Sequence, residues 1–480
     1  MSPINRRRFL SSGAVAVTAL SISPSLWAQP TGANSDIRLA VVGFNGQGKS
    51  HIEGFRKIPG VRVVGLCDVD SAVLDREAVK FKDRNEAIAT YSDVRKLLEN
   101  KDIDAISIAT PNHSHALIAI WAIQAGKDVY VEKPVSHNVS EGRRIVEAAR
   151  KHKRMVQTGT QSRSNPGVRE AIQFLHDGGL GKIKWVRGLC YKRRASIGKI
   201  TAPQLPPSSV DYDLWCGPAP KEPLSRTRLH YDWHWVWPTG SGDLGNQGIH
   251  QMDIARWALG VNELSPQVFS FGGRFGYLDD GTTPNTQIIY HNYPTAPLIF
   301  EVRGLPAKSN GDAMDNLRGA SIGVVIQCEN GSMVIPSYQS ATAFDTAGKV
   351  FKQFRGDASH HANFIQAVRS RKQSDLNADI LEGHLSSALC HTGNISYRLG
   401  KLTKPEEVRD AIKNQPEAGE SFARFAEHLK ANEVDITKSP VQLGVVLKMD
   451  PKKEQFIGNS AADKLLTREY RKGFVVPNKV

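Results

Sequence analysis

Arg38-Leu-Ala-Val-Val-Gly43-Phe-Asn45-Gly46-Gln-Gly48 is the stretch from which the fold can be read. Its apolar run reads as a buried strand, its glycines as a tight turn, and the residues after Gly48 suit a helix. Such a turn brings backbone N–H groups close to a pyrophosphate, and the following helix N-terminus favours the negative charge. Asn45 stands where the second glycine of the dinucleotide fingerprint usually falls, and Asn tolerates a left-handed backbone better than most residues. Val61–Asp68 is a second strand, and Asp68 closes it 25 residues after Gly43. A carboxylate there hydrogen-bonds a ribose 2′-hydroxyl and repels a 2′-phosphate, so NAD is favoured over NADP. Gly43, Asn45, Gly46, Gly48 and Asp68 are therefore the first candidate cofactor contacts.

Outward from this unit, apolar runs at 103–109, 128–131 and 155–158 alternate with helical spacing at 115–125 and 140–152. Strand and helix at this interval mean βαβ units and a parallel sheet covered on both faces. After about residue 180 the pattern changes to strand candidates with few helices between them, at 183–191, 267–275, 286–293, 298–302 and 321–327. Asn330-Gly331 between two apolar runs predicts a hairpin with a type I′ turn. The fold class is thus α/β: a Rossmann dinucleotide-binding domain over 36–160 and an α+β domain with an open, largely antiparallel sheet over 161–400. Thr201–Pro223 is Pro-rich and reads as a long surface loop, 360–399 as helical, and 401–480 as a wrapped C-terminal extension.

Composition limits the alternatives. The chain has 480 residues, 40% hydrophobic and 23% charged, which excludes wholesale disorder and suggests two or three domains. Its formal charge is +14; setting aside Arg6, Arg7 and Arg8 leaves 59 Lys and Arg against 48 acids, spread along the chain. No zinc-finger spacing, RNP-like segment or basic zipper accompanies that charge, so nucleic acid is not an expected partner. No apolar run of about 18 or more residues occurs, so no stable membrane span is expected.

The first thirty residues read as an address. Asn5-Arg-Arg-Arg-Phe-Leu10 precedes the short apolar stretch 13–20 and a small residue, Ala28, before a plausible cut. Paired Arg followed by x-Phe-Leu is similar to the bacterial twin-arginine export signal, so residues 1–28 are expected to be a signal peptide and the mature protein periplasmic or otherwise exported. Five cysteines, none in a Cys-x-x-Cys pair, offer neither a disulfide framework nor a zinc site. That suits a chain folded in a reducing cytoplasm before export.

Two segments carry chemistry beyond the carboxyl ends of strands, where open α/β sheets bind ligands. They are Thr110-Pro111-Asn112-His113-Ser-His115 and Glu132-Lys133-Pro134. With the glycine turn, Asp68 and Gly245–Gly260, they resemble the Gfo/Idh/MocA oxidoreductases, a similarity extending over most of 36–400. The resemblance implies a Rossmann domain, an open-faced α/β domain, and oxidation or reduction of sugars and polyols with NAD or NADP. It adds Thr110, Pro111, Asn112, His113, Glu132 and Lys133 to the cofactor contacts, makes Lys133 catalytic, and offers Gln161 and Arg163 as substrate contacts.

Gly242-Asp-Leu-Gly-Asn246-Gln-Gly-Ile-His250-Gln-Met-Asp253 is the second site segment. If helical from about 246, it places Asn246, His250 and Asp253 on one face. The family commonly has Asp-x-x-x-His here, with His as general base. His250 matches, Asn246 replaces the Asp, and Asp253 is expected to supply the acidic partner instead. His230-Tyr-Asp-Trp-His-Trp235-Val-Trp237 could stack rings on a sugar face, with Trp235 as the candidate contact.

The expected function is hydride transfer between a sugar, polyol or glycoside hydroxyl and NAD. Outside the cytoplasm no ready nucleotide pool exists, so tight cofactor retention is expected. Two other readings use the same residues: redox-neutral glycoside cleavage through a transient keto-sugar, and a non-catalytic sugar-binding homologue. The His-x-His, His-x-x-x-His and His-His pairs lack a third ligand at helical spacing, so no metal is expected. The open sheet of the second domain is a plausible dimer or tetramer face.

Overall fold

The computed structural model describes residues 36–480; the expected signal peptide at 1–28 lies outside them. The first sheet is built from β1 (Ile37–Val42), β2 (Val61–Cys67), β3 (Ala89–Tyr91), β4 (Ala105–Ile108), β5 (Asp128–Val131) and β6 (Val156–Thr158). All its pairs are parallel and its order is β3-β2-β1-β4-β5-β6. The crossovers are α1 (Gly48–Arg56), α2 (Ser71–Asp83), α3 (Val94–Glu99), α4 (Asn112–Gln124) and α5 (Val139–Lys151). The strand order reverses between β1 and β4, so the glycine turn and the Thr110 loop face each other at the switch point, the usual ligand crevice of such sheets.

A short turn at Gln161–Ser164 and α6 (Pro166–His176) lead into the second sheet. It comprises β7 (Ile183–Tyr191), β8 (Gln267–Gly273), β9 (Thr286–His291), β10 (Leu298–Arg303), β11 (Ile322–Cys328), β12 (Gly331–Ile335), β13 (Ser340–Phe344), β14 (Val350–Arg355), β15 (Lys401–Thr403) and β16 (Val441–Leu443), with β17 (Leu447–Asp450) paired to β8 and β18 (Gln455–Phe456) paired to β17. Its pairs are antiparallel except β10 with β7. The hairpin between β11 and β12 forms, but its loop is Glu329–Asn330, because Cys328 already pairs with Gly331. Neither loop residue has a positive φ, so the expected type I′ turn at Asn330-Gly331 is absent.

Between β7 and β8 lie short helices α7 (Tyr212–Cys216), α8 (Leu229–Asp232) and α9 (Gly242–Asn246), then α10 (Gly248–Leu259). The segment expected to be helical over 360–399 is two helices, α11 (His360–Ser370) and α12 (Ile380–Arg398). α12 is buried around nearly its whole circumference and lies against α5 of the nucleotide domain on one side and β8 of the second sheet on another. Glycines permit that approach: a Cβ on Gly383 would sit 1.9 Å from Thr158 Oγ1, and one on Gly142 would sit 2.5 Å from His384 Nδ1.

The C-terminal extension is more than a wrap. β15 and β16 lengthen the second sheet beyond β8, while α13 (Pro405–Ala411) and α14 (Pro416–Ala431) cover its outer face. Val408, Ile412, Phe422, Phe425 and Leu429 pack there on Phe271, Ile288 and Ile299. The β8–β10 part of the face expected to serve oligomerisation is therefore covered by the chain's own helices. Burying apolar area of this kind contributes about 25 cal/mol per Å². Phe425→Ala should lower the free energy of unfolding by about 3–5 kcal/mol, measured by denaturant titration.

Candidate active site

A cavity of about 530 Å³ opens between the two sheets. One end is the glycine turn. Gly43 has φ +77°, and a Cβ there would lie 2.8 Å from the backbone nitrogen of Thr110. Gly48 has a different role: its Cβ would meet the Gly43 carbonyl oxygen at 2.1 Å, so glycine is what lets α1 start so close to the strand. Gly46 has open space where a side chain would be, and it lines the cavity. Asn45 lines it too, without a left-handed backbone; its Oδ1 accepts from Arg76 at 3.1 Å. No side chain caps the first turn of α1, which leaves the helix N-terminus available to an anion.

Asp68 closes this end. Its carboxylate accepts from the Phe44 amide at 3.1 Å and the Asp70 amide at 3.0 Å, and burial raises its pKa despite both bonds. Thr110 Oγ1 is buried on the same wall with no protein partner. An unsatisfied hydroxyl, an uncapped helix start and a carboxylate at the end of β2 together fit a dinucleotide laid across the switch point. Pro111 and Asn112 continue the wall, whereas His113 turns away from it. His113 Nε2 hydrogen-bonds the Trp215 carbonyl at 2.8 Å, and burial lowers its pKa to about 3, so it is a neutral pin under the lid rather than a cofactor contact. His115 instead ties the two loops together, reaching the carbonyls of Thr110 and Pro134 at 2.7 Å each.

The other end holds the reacting groups. Glu132 is buried against His51 Nε2 at 3.0 Å and accepts from its neighbour's amide, Lys133 N–H, at 3.1 Å. Burial alone would raise its pKa, but the His51 hydrogen bond and the nearby positive charges pull it to about 2. His51 is held in turn by Ser107 Oγ at 2.7 Å. Lys133 Nζ donates to the Asn246 carbonyl oxygen at 3.0 Å across the domain junction, and burial lowers its pKa. His250 lines the same space with its ring 4.9 Å from that of Tyr338. Burial and then the Lys133 charge hold His250 well below the usual histidine range, so it is neutral and able to take a proton.

The expected single helical face breaks down here. Asn246 at the end of α9 and His250 in the first turn of α10 reach the cavity, whereas Asp253, one turn further along α10, points away from it. Asp253 accepts from Arg163 Nε at 2.8 and 3.0 Å and from Ser386 Oγ at 2.7 Å. Arg163 also meets Glu382 at 3.0 Å and lies over the Trp257 ring. Neither Arg163 nor Asp253 lines the cavity: Arg163 is no substrate contact, and Asp253 is not the acidic partner of His250. Gln161 does line it. Trp235 is buried beneath Arg194, 5.1 Å from its guanidinium, and Trp233 and His234 present themselves to the cavity in its place.

Several wall residues escaped sequence reasoning. Lys192 and Arg194 follow β7, and Arg194 forms a paired ion bridge with Asp243 at 2.7 and 2.9 Å. Lys192 donates to Gln247 Oε1 at 2.9 Å, and Gln247 donates to the Tyr338 hydroxyl at 2.5 Å. Alternation along the end of β7 was the only available signal for the first two. The Pro-rich stretch also proves to be part of the site: Leu214, Trp215, Gly217 and Pro218 close the cavity, helped by His230, which reaches Asp70 at 2.8 Å, and by Phe474 of the C-terminal tail. Among the described residues no cluster of three or more His, Cys, Asp or Glu could hold a metal ion, and no helix is long and apolar enough to cross a membrane.

Comparison with known proteins agrees with this arrangement. Residues 37–160 match a family model described as an oxidoreductase family NAD-binding Rossmann fold, and 182–293 match its C-terminal alpha/beta domain. Inositol 2-dehydrogenase of Salmonella typhimurium is 30% identical over 174 residues, 35% of this chain and 49% of that protein. Alpha-N-acetylgalactosaminidase of Shewanella oneidensis is 33% identical over 172 residues, 31% and 38% of the two chains. The matches thus span about half or less of these relatives. The crystal structure of the WlbA dehydrogenase from Bordetella pertussis, in complex with NADH and UDP-GlcNAcA, has the same fold, with a TM-score of 0.54 at 20% identity over 74% of this chain and 94% of that one.

The Arg163–Asp253 pair is buried, so removing the Asp253 charge leaves the Arg163 guanidinium inside with only the half-buried Glu382 as a charged partner. Asp253→Asn should cost about 3 kcal/mol of stability, read from the shift in urea midpoint.

Proposed function

We propose, for a chain that belongs to the Gfo/Idh/MocA oxidoreductases, hydride transfer between a carbohydrate or polyol hydroxyl and a tightly held NAD. One observation carries the reading: Lys133 and His250 share the wall of a cavity whose far end is the glycine turn and Asp68. Bound there, a nicotinamide supplies the hydride acceptor or donor, which is chemistry no side chain provides.

The chain's own residues supply the rest. Lys133, protonated and fixed by the Asn246 carbonyl, donates to the oxygen of the reacting hydroxyl and stabilises negative charge as it develops there. A ring nitrogen of His250 accepts the hydroxyl proton in oxidation and returns it in reduction. Among the described residues no carboxylate hydrogen-bonds His250, and its imidazolium is opposed by both burial and Lys133, so its basicity is weak and proton return is easy. The buried Glu132–His51 pair holds the backbone on which Lys133 is mounted. Asp68 selects NAD by the charge argument already given, since no basic side chain pairs with it. The surrounding lid excludes water, which strengthens every electrostatic contact inside.

Enclosure by residues 214–218, 230–234 and Phe474 favours retention of the nucleotide through many turnovers. The same enclosure, with the glycosidase among the relatives, favours a second reading: glycoside cleavage without net oxidation in the product. Export in the folded, loaded state rests on the Arg6–Leu10 motif.

Lys133→Met tests the assignment. Single-turnover nicotinamide absorbance on adding sugars and polyols should fall about 10²–10⁴-fold in the variant, with the melting temperature little changed. Undiminished turnover would remove Lys133 from the chemistry.

The pH profile provides an independent check. Oxidation requires neutral His250 and protonated Lys133, and both pKa values are lowered from the ordinary 6.5 and 10.5. kcat/KM for oxidation should fall on the acid side only below the usual histidine range, as His250 gains its proton. On the alkaline side it should fall before the usual lysine range, as Lys133 loses one.

A further inference from the structure

We propose that the substrate is an acidic sugar whose carboxylate is held by Lys192 while its hydroxyl is addressed by Lys133 and His250. The proposal rests on the hydride-transfer reading above and names its substrate class.

The argument is one of charge. Three cations, Lys133, Lys192 and Arg194, line the reacting end of the cavity. Two carboxylates act on them: Asp243, both of whose oxygens are taken by Arg194, and Glu132, whose charge offsets that of Lys133. Glu132 is committed to His51 and to the Lys133 amide. Among the described residues Lys192 has a single neutral acceptor, Gln247 Oε1 at 2.9 Å, and none of their carboxylates lies within ion-pair distance of its ammonium. An ammonium has three donors, so two remain for a ligand.

Lys192 is also positioned rather than loose. Gln247 is anchored by the Tyr338 hydroxyl at 2.5 Å, and its oxygen holds the ammonium against the cavity wall. Half-burial limits how far water can screen the charge, and its field reaches both reacting groups, disfavouring protonation of each. A neutral sugar would leave this excess positive charge uncompensated. A carboxylate would satisfy it with a charge-assisted hydrogen bond. One free ammonium, with the neighbouring guanidinium already taken, suits a single negative charge better than a phosphate monoester, which is typically held by an Arg fork or a helix N-terminus.

The test measures binding apart from turnover. Methyl glucuronides and galacturonides, the matching neutral methyl glycosides, and the matching 6-phosphates are titrated calorimetrically into the purified protein and into Lys192→Met. At least one uronide should bind about tenfold or more tighter than its neutral counterpart, and the variant should lose that preference. Equal binding of acid and neutral forms, a preference that survives in Lys192→Met, tighter binding of the phosphates, or no binding by any acid would each overturn the proposal. Nicotinamide absorbance in the same mixtures reports hydride transfer separately. Uronide binding without any absorbance change would count against the hydride-transfer reading alone, and reduction by neutral sugars only would count against the acidic substrate alone.

Discussion

Arg163, Asp253, Ser386 and Arg256, buried, with the half-buried Glu382 at their edge, form a cluster that fixes where the two halves of the active site meet. Arg163 leaves the end of the nucleotide domain, Asp253 and Arg256 lie on α10, and Ser386 and Glu382 lie on α12. Because these charges are inside, their mutual geometry is narrowly defined: a displaced partner would be a buried charge without compensation. α10 carries His250 one turn before Asp253, so the cluster sets the histidine relative to the β5 edge from which Lys133 projects. The bond from Lys133 to the Asn246 carbonyl then closes the junction on the cavity side. Chemistry that depends on two groups from different domains needs such rigidity, since small displacements of reacting groups cost orders of magnitude in rate.

Around this junction the chain spends many residues on closing the site. The stretch from Thr201 to Trp237 adds no strand to either sheet, yet it contributes much of the lid and is pinned by His113 to the Trp215 carbonyl, by His230 to Asp70 and by Arg471 to the carbonyls of Asp213 and Gly217. The tail from which Arg471 comes also delivers Phe474 to the cavity wall. A lid held by polar contacts at several points, one of them buried, opens less readily than one resting on apolar packing alone. At the opposite side of the molecule, α13 and α14 cover apolar sheet surface that would otherwise be exposed. The extension therefore serves the site with its last residues and the stability of the second sheet with its helices.

Strong local periodicity made the nucleotide domain legible. Apart from the short, half-exposed edge strand β3, which was not legible, its strands are apolar runs with mostly buried faces, and Gly43, Asp68, Thr110 and Lys133 stand at strand ends where topology alone brings ligands. The second sheet was legible where strands alternate or lie between turn signals, but β13 to β16, at or next to its two edges, were not, since short peripheral strands depend on a neighbour for their pairing. The errors at the site have a common origin. Helical spacing put Asp253 one turn from His250, and α10 keeps that spacing, but Arg163, 90 residues away, claims the carboxylate on the side away from the cavity. His113 and Trp235 likewise look like site residues in a motif, while their partners, the Trp215 carbonyl and the Arg194 guanidinium, are set by tertiary contacts. Lys192 had no motif around it at all. It acquires meaning only once Asp243 is seen to be spent on Arg194.

The most direct measurement is to denature the purified protein without added cofactor and quantify the nicotinamide nucleotide released. The enclosed cavity, the Asp68 carboxylate and the pinned lid predict close to one equivalent of NAD in either redox state per chain. Trace amounts, or NADP in place of NAD, would contradict the account.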